Sequence, residues 1–137
     1  MANGVPFGRR RDMDFMFTKL QVHDLEKAAA FFTSVFGLIE MHRMDAAIAG
    51  RKVTEIVYQP TYEDGPMFIL AKFHDRPAAS NDELILGFAT KNLEEALERC
   101  EQAGGRIVES IQGSPGGMRH AFVSDSEGHL IQISQAS

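Results

Sequence analysis

The sequence predicts an α+β protein made of two βαβββ modules, and three observations carry that expectation. The twelve residues Phe17-Thr-Lys-Leu-Gln-Val-His-Asp24-Leu-Glu-Lys-Ala28 recur in pattern as Ile85-Leu-Gly-Phe-Ala-Thr-Lys-Asn92-Leu-Glu-Glu-Ala96, so the Asx residue at 24 returns at 92, 68 positions later. Each copy reads as strand, cap and amphipathic helix, and each is followed by three strand-like runs. The length of 137 residues, with 44% hydrophobic and 24% charged residues, suits one compact soluble domain. A single short βα unit has no second layer on which to bury its apolar face, whereas two related units bury theirs against each other.

In chain order, residues 1–14 read as a flexible N-terminal tail: Arg9-Arg10-Arg11 is followed by no apolar segment, which excludes a signal peptide or a membrane span. A first strand around Phe17–Val22 leads to Asp24, an N-cap, and to a helix with apolar positions Leu25, Ala28, Ala29, Phe32, Val35 and Phe36 that stops at Gly37. Strands follow at Leu38–Met44, Arg51–Tyr58 and Met67–His74, the last two separated by the turn-rich Pro60-Thr-Tyr-Glu-Asp-Gly-Pro66. Module one thus spans 15–74, and a polar linker over 75–82 contains Pro77.

Module two, 83–135, repeats the plan. Asn92 caps, Glu95 stands where a capping box places it, and Leu93, Ala96, Leu97, Cys100 and Ala103 form one stripe ended by Gly104-Gly105. Strands at Arg106–Ser110, Met118–Ser124 and Leu130–Ser134 complete it, punctuated by Gly113-Ser-Pro-Gly-Gly117 and Asp125-Ser-Glu-Gly128. Cys100, the only cysteine, lies on the buried stripe, which suits core packing rather than nucleophilic chemistry and excludes an internal disulfide. One unpaired cysteine and no export signal point to the cytoplasm. The net charge of −5 argues against nucleic acid as partner.

Strand alternation assigns faces. Leu20 and Val22 point with the helix stripe, so Phe17, Lys19 and Gln21 point the other way; Ile131 and Ile133 face the helix, and Leu130, Gln132 and Ser134 face away. A face that mixes Lys19, Gln21 and Gln132 with Phe17 suits a pocket.

The run Leu20-x-Val-x-Asp-Leu-x-Lys-Ala-x-x-Phe-Phe-x-x-Val-Phe-Gly-Leu38, with Ala121-Phe-Val-x-Asp-x-x-Gly-x-x-Ile-x-Ile133, resembles the vicinal oxygen chelate superfamily, which includes glyoxalase I, bleomycin-binding and fosfomycin resistance proteins and extradiol dioxygenases. The resemblance covers residues 15–135. It implies curled mixed sheets forming a concave ligand cup, and a homodimer in which modules pair to cover sheet edges. It also implies His or Glu at four inward positions, one on the first and one on the last strand of each module. Those positions fall here on Phe17, Leu70, Ile85 and Gln132, three of which cannot bind a metal. The expectation is no metal site and no cofactor.

By the same resemblance His120 and Phe122, five and three residues before Asp125, face the pocket. Lys19 and His120 are the candidate catalytic pair, His120 being the best general acid/base by its ordinary pKa. Phe17, Gln21, Phe68, Leu70, Lys72, Ile85, Phe122 and Gln132 are the candidate ligand-binding residues. His42 is a second imidazole placed at the cavity, while His23, His74 and His129 are expected in solvent. Tyr58, Tyr62 and Phe68 stand equally well as ligand-stacking or core aromatics, and Gly113–Gly117 as a loop at the cavity mouth. The expected function is binding of a small organic acid or carbonyl compound. The alternatives are a metal-independent lyase or isomerase using Lys19 and His120, and a metal-dependent lyase or dioxygenase with relocated ligands.

Overall fold

A computed structural model describes residues 15–75, 84–113 and 116–135. Residues 1–14 and most of the 75–82 linker lie outside the described residues. The order is β1 (Phe17–Gln21), α1 (Leu25–Phe36), β2 (Glu40–Ile48), β3 (Arg51–Tyr58), β4 (Met67–Phe73), β5 (Ile85–Ala89), α2 (Leu93–Gln102), β6 (Arg106–Gly113), β7 (Arg119–Ser124) and β8 (Leu130–Gln135). Two βαβββ modules are present, each with its own four-stranded mixed sheet. The strand orders are β1-β4-β3-β2 and β5-β8-β7-β6, with β1 parallel to β4 and β5 parallel to β8.

The helices begin and end where local chemistry dictates. Asp24 accepts the Lys27 N–H at 3.0 Å, and Gly37, at φ 68°, donates its own N–H to Thr33 in a left-handed conformation that glycine takes without cost. Asn92 accepts the Glu95 N–H at 3.1 Å. The expected capping box is only half formed: Glu95 turns to Arg99 at 2.8 Å, and the Thr90 hydroxyl takes the Asn92 N–H instead. A basic side chain one turn downstream draws the carboxylate away from the cap.

Both helices enter one apolar core. It unites Leu20, Val22, Phe32, Val35 and Leu70 of module one with Leu86, Leu93, Cys100, Ile131 and Ile133 of module two. Phe36 of α1 stacks on Phe88 of β5 at 3.9 Å and 12°, and Arg99 of α2 donates to the Val35 carbonyl at 3.1 Å. Phe31, outside the expected stripe, is buried because α1 also touches the second module; its ring lies so close to Gly105 that a Cβ there would come within 2.8 Å.

A turn closes the joint. Asp125 accepts the backbone N–H of Glu127 and of His129, each at 2.9 Å, and pairs with His129 Nδ1 at 2.7 Å. The Glu127 carboxylate then accepts the N–H of His23 and of Asp24, both at 2.8 Å, at the start of α1. The His129 ring also lies near the Gln21 backbone, which favours its charged form. His129 is therefore not in solvent as expected but 7% exposed, because its turn folds onto the other module rather than into water. Its hydrogen bond to Asp125 raises its pKa against the opposing effect of burial.

Candidate functional site

Each sheet has one face on the helical core and one face turned away from it. Register decides which residue lies on which. Phe17, Lys19 and Gln21 pair with Met67, Ile69 and Ala71, and these in turn adjoin Val57 and Glu55 on β3. The alternate set, Leu20, Leu70, Ile56, Phe68 and Tyr58, faces the core.

Three expected pocket residues are thereby reassigned. Leu70 is fully buried in the helix-side core, and Phe68 packs on Phe32 with ring centroids 5.0 Å apart. Lys72 shares their parity and donates to the His23 carbonyl at 2.6 Å. The residue of β4 that occupies the inward place is Ile69. Internal symmetry says the same: Phe17 pairs with Met67 as Ile85 pairs with Leu130, so Ile69 corresponds to Gln132. Tyr58 joins the core cluster, while Tyr62 is exposed in its loop.

The open face of module one holds a polar group that the sequence reading missed. Lys19 Nζ pairs with Glu55 Oε2 at 2.5 Å, and Glu55 is 3% exposed. Around them lie Val53, Val57, Ile69 and Ala71, all buried. Lys19 also sits 5.3 Å from the Phe17 ring centroid. Beside this pair the Gln21 carboxamide nitrogen is buried and has no hydrogen-bond partner among the described residues. The signal for Glu55 was its own position: a carboxylate set inside Val53-Thr-Glu-Ile-Val-Tyr58 at the parity of a buried row.

On the open face of module two, Ile85, Gln132, Phe122 and His120 lie together by register. The His120 and Phe122 rings meet edge to face at 5.7 Å, and Gln132 donates to the Ser134 hydroxyl at 3.2 Å. Phe17 and Ile85, on the edge strands, are 39% and 53% exposed, whereas Val53, Glu55, Val57, Ile69 and Ala71 in the middle of module one's face are buried. His42 is exposed on the edge strand β2, in register with Val57. Lys19 and His120 belong to different sheets, and the partners that each engages are in its own sheet. Residues 114–115 of the expected mouth loop lie outside the described residues.

The family model described as the Glyoxalase/Bleomycin resistance protein/Dioxygenase superfamily matches residues 15–133. The chain belongs to this superfamily. It is 25% identical over 126 residues to a lactoylglutathione lyase of Salmonella typhimurium, covering 90% of this chain and 93% of that one. A glyoxalase family protein from Bacillus cereus superposes with a TM-score of 0.79 at 16% identity, covering 96% and 99% of the two chains. TioX from Micromonospora sp. ML1 does so with a TM-score of 0.62 at 22% identity, covering 91% and 100%. These likenesses establish the fold alone.

The positions at which the superfamily resemblance implies metal ligands can be read from the register. They fall on Phe17, Ile69, Ile85 and Gln132, of which Gln132 alone carries a side-chain oxygen or nitrogen. Among the described residues no group of three His, Cys, Asp or Glu side chains converges on a point. Nor is any described helix long and apolar enough to cross a membrane.

Proposed function

We propose that this chain is a small-molecule-binding member of its superfamily that works without the family metal, as a cytoplasmic homodimer, and takes an organic acid or carbonyl compound. The observation that carries the reading is the trio Lys19, Glu55 and Gln21, set among the buried Val53, Val57, Ile69 and Ala71 on the face that the helices do not cover. Burying an ion pair contributes little net stability, and an unpartnered carboxamide costs some. Such groups on a face that the helices do not cover are better suited to contacting a ligand than to holding the fold.

The dimer supplies what one chain lacks. Strands β1 and β5 are sheet edges, and Phe17, Met44 and Ile85 expose apolar surface on the open faces. Apposing module one of one copy to module two of another covers both edges and encloses a cavity between Lys19 and His120. That cavity also accommodates the second reading, a metal-independent lyase or isomerase with these two residues as acid and base. The likeness to lactoylglutathione lyase favours that reading. Domain limits of 15–74 and 83–135 for the modules belong to the same proposal.

A thermal-shift screen of small acids, aldehydes, ketones and amides, run with chelator, tests it. A ligand at 100 times its Kd stabilises the native state by about 2.7 kcal/mol. The expected outcome is at least one such compound, a dimer by sedimentation, and no rise in Tm with Mn, Ni, Zn or Fe. One equivalent of tightly held transition metal in the purified protein sinks the metal-free reading. Turnover of the hit compound under chelation selects the second reading over the first.

A further inference from the structure

Resting on the ligand-binding reading above, and narrowing its ligand class from organic acids and carbonyl compounds to the neutral carbonyl compounds, we propose that Glu55 sets ligand charge: the Lys19 face of module one selects a neutral compound carrying an adjacent hydrogen-bond acceptor and donor, such as a primary amide, and discriminates against carboxylates. An isolated Lys19 would attract organic acids. Here its ammonium is already paired, with Glu55 Oε2 2.5 Å away. A carboxylate brought to Lys19 is brought equally to a carboxylate that is 3% exposed, and the attraction and repulsion cancel.

What the face still offers is neutral hydrogen bonding. An ammonium has three donors, and Glu55 takes one. The Gln21 carboxamide nitrogen brings two more and is buried without a partner among the described residues. A carbonyl oxygen satisfies both, and an N–H or O–H on the same carbon can donate toward Glu55. The exposed Phe17 and half-buried Met67 at the edge of this face supply apolar surface for a flat ligand body. Neither module-two counterpart does this. The residues displaced by 68 from Lys19 and Gln21 are Gly87 and Ala89, and His120 stands in the place of Glu55.

The test titrates the full chain with benzamide, benzoate and benzamidine, followed by amide chemical shifts. Wild type should bind benzamide with shifts at Lys19, Gln21, Glu55 and Ala71, and benzoate at least tenfold more weakly. Glu55→Gln, which is isosteric, should raise benzoate affinity relative to benzamide at least tenfold. Lys19→Met should favour benzamidine instead. If either single variant fails to fold, the charge-swapped Lys19→Glu/Glu55→Lys protein keeps the pair neutral and should retain the preference for benzamide. Benzoate binding to the wild-type face as tightly as benzamide, or a ratio unchanged in Glu55→Gln, overturns the proposal and leaves the ligand-binding reading standing. Absence of shifts on both open faces for all three probes overturns the two together.

Discussion

The two modules share their framework and differ on their open faces. Register makes the comparison residue by residue: Lys19 corresponds to Gly87, Glu55 to His120, Val57 to Phe122, and Ile69 to Gln132. Module one places a buried ion pair among aliphatic side chains, whereas module two places half-exposed aromatic and amide groups around a glycine. The caps, the helix stripes and the parallel pairing of first and last strands repeat in both. What repeats is therefore what buries apolar surface against the helices, and the other face is where the modules differ. The connections between the last two strands differ as well. Module one uses the long Gln59–Pro66 segment, and module two the short Asp125–His129 turn that clasps the other module.

The largest expected effect breaks that clasp. Asp125→Ala leaves the buried His129 without its partner and two backbone N–H groups without an acceptor, and should cost about 3–5 kcal/mol in urea unfolding. Tyr62→Ala in the corresponding segment of module one, exposed at 65%, should cost less than about 1 kcal/mol. The clasp also carries a pH signature. A folded-state pKa raised above the unfolded value means that the stabilisation is complete below the ordinary histidine pKa and disappears as pH rises through the raised one. The stability gap between wild type and His129→Gln should be widest near about pH 6 and narrow on the alkaline side. A gap that widens with pH would show that burial, not Asp125, governs this histidine.

A second pair of variants tests the two faces of one strand. Leu70→Ala opens a cavity in the shared core and should cost about 2–5 kcal/mol. Ile69→Ala removes a side chain that is also buried, but on the face without a helix, and should fall at the lower end of that range. Equal losses at 69 and 70 would mean that the two faces of β4 are packed equally tightly.

This strand also shows what the sequence could not convey. Caps and repeats are local, so Asp24, Gly37 and Asn92 announce both helices. In Met67-Phe-Ile-Leu-Ala-Lys-Phe73, by contrast, apolar residues occupy both parities, because a central strand is buried on both sides. Without alternation, parity is undetermined until the pairing with β1 is known, and an error of one residue exchanges every side chain between faces. Leu70 for Ile69, with Phe68 and Lys72, is that error. Lys19 and Gln21 lie on an edge strand whose alternation is clear, so their face was legible. Glu55 and His129 were missed for a different reason. Each depends on a contact distant in sequence, of Glu55 with Lys19 in one case and of the His129 turn with the start of α1 in the other.

A smaller effect probes the ion pair. Lys19→Met strands the Glu55 carboxylate and should cost about 1–3 kcal/mol, less than for a fully buried pair because Lys19 keeps 31% of its side chain in solvent. Adding Glu55→Leu should recover most of the loss, since apolar side chains of similar volume replace such a pair at little cost. His120→Ala, at the matching place in module two, should stay within about 0.5 kcal/mol. If the double variant remained as unstable as the single, the pair would be structural, and the case for a binding role would weaken.

The smallest expected effect contrasts two glycines. Gly87 lies in β5 at the position of Lys19, and a Cβ there meets no atom within 4 Å. Gly87→Ala should therefore stabilise the protein by about 0.4–1 kcal/mol, by restricting the unfolded chain without straining the folded one. Gly105 is the opposite case. A Cβ at that position would come within 2.6 Å of Cys100 Sγ and of the Ser124 carbonyl. Gly105→Ala should cost about 1–3 kcal/mol, and by loosening that contact should speed alkylation of Cys100, whose thiol burial holds near a pKa of about 11. A destabilising Gly87→Ala would mean that the open face of module two is occupied at this point, which is where a second copy apposing its module one would have to approach.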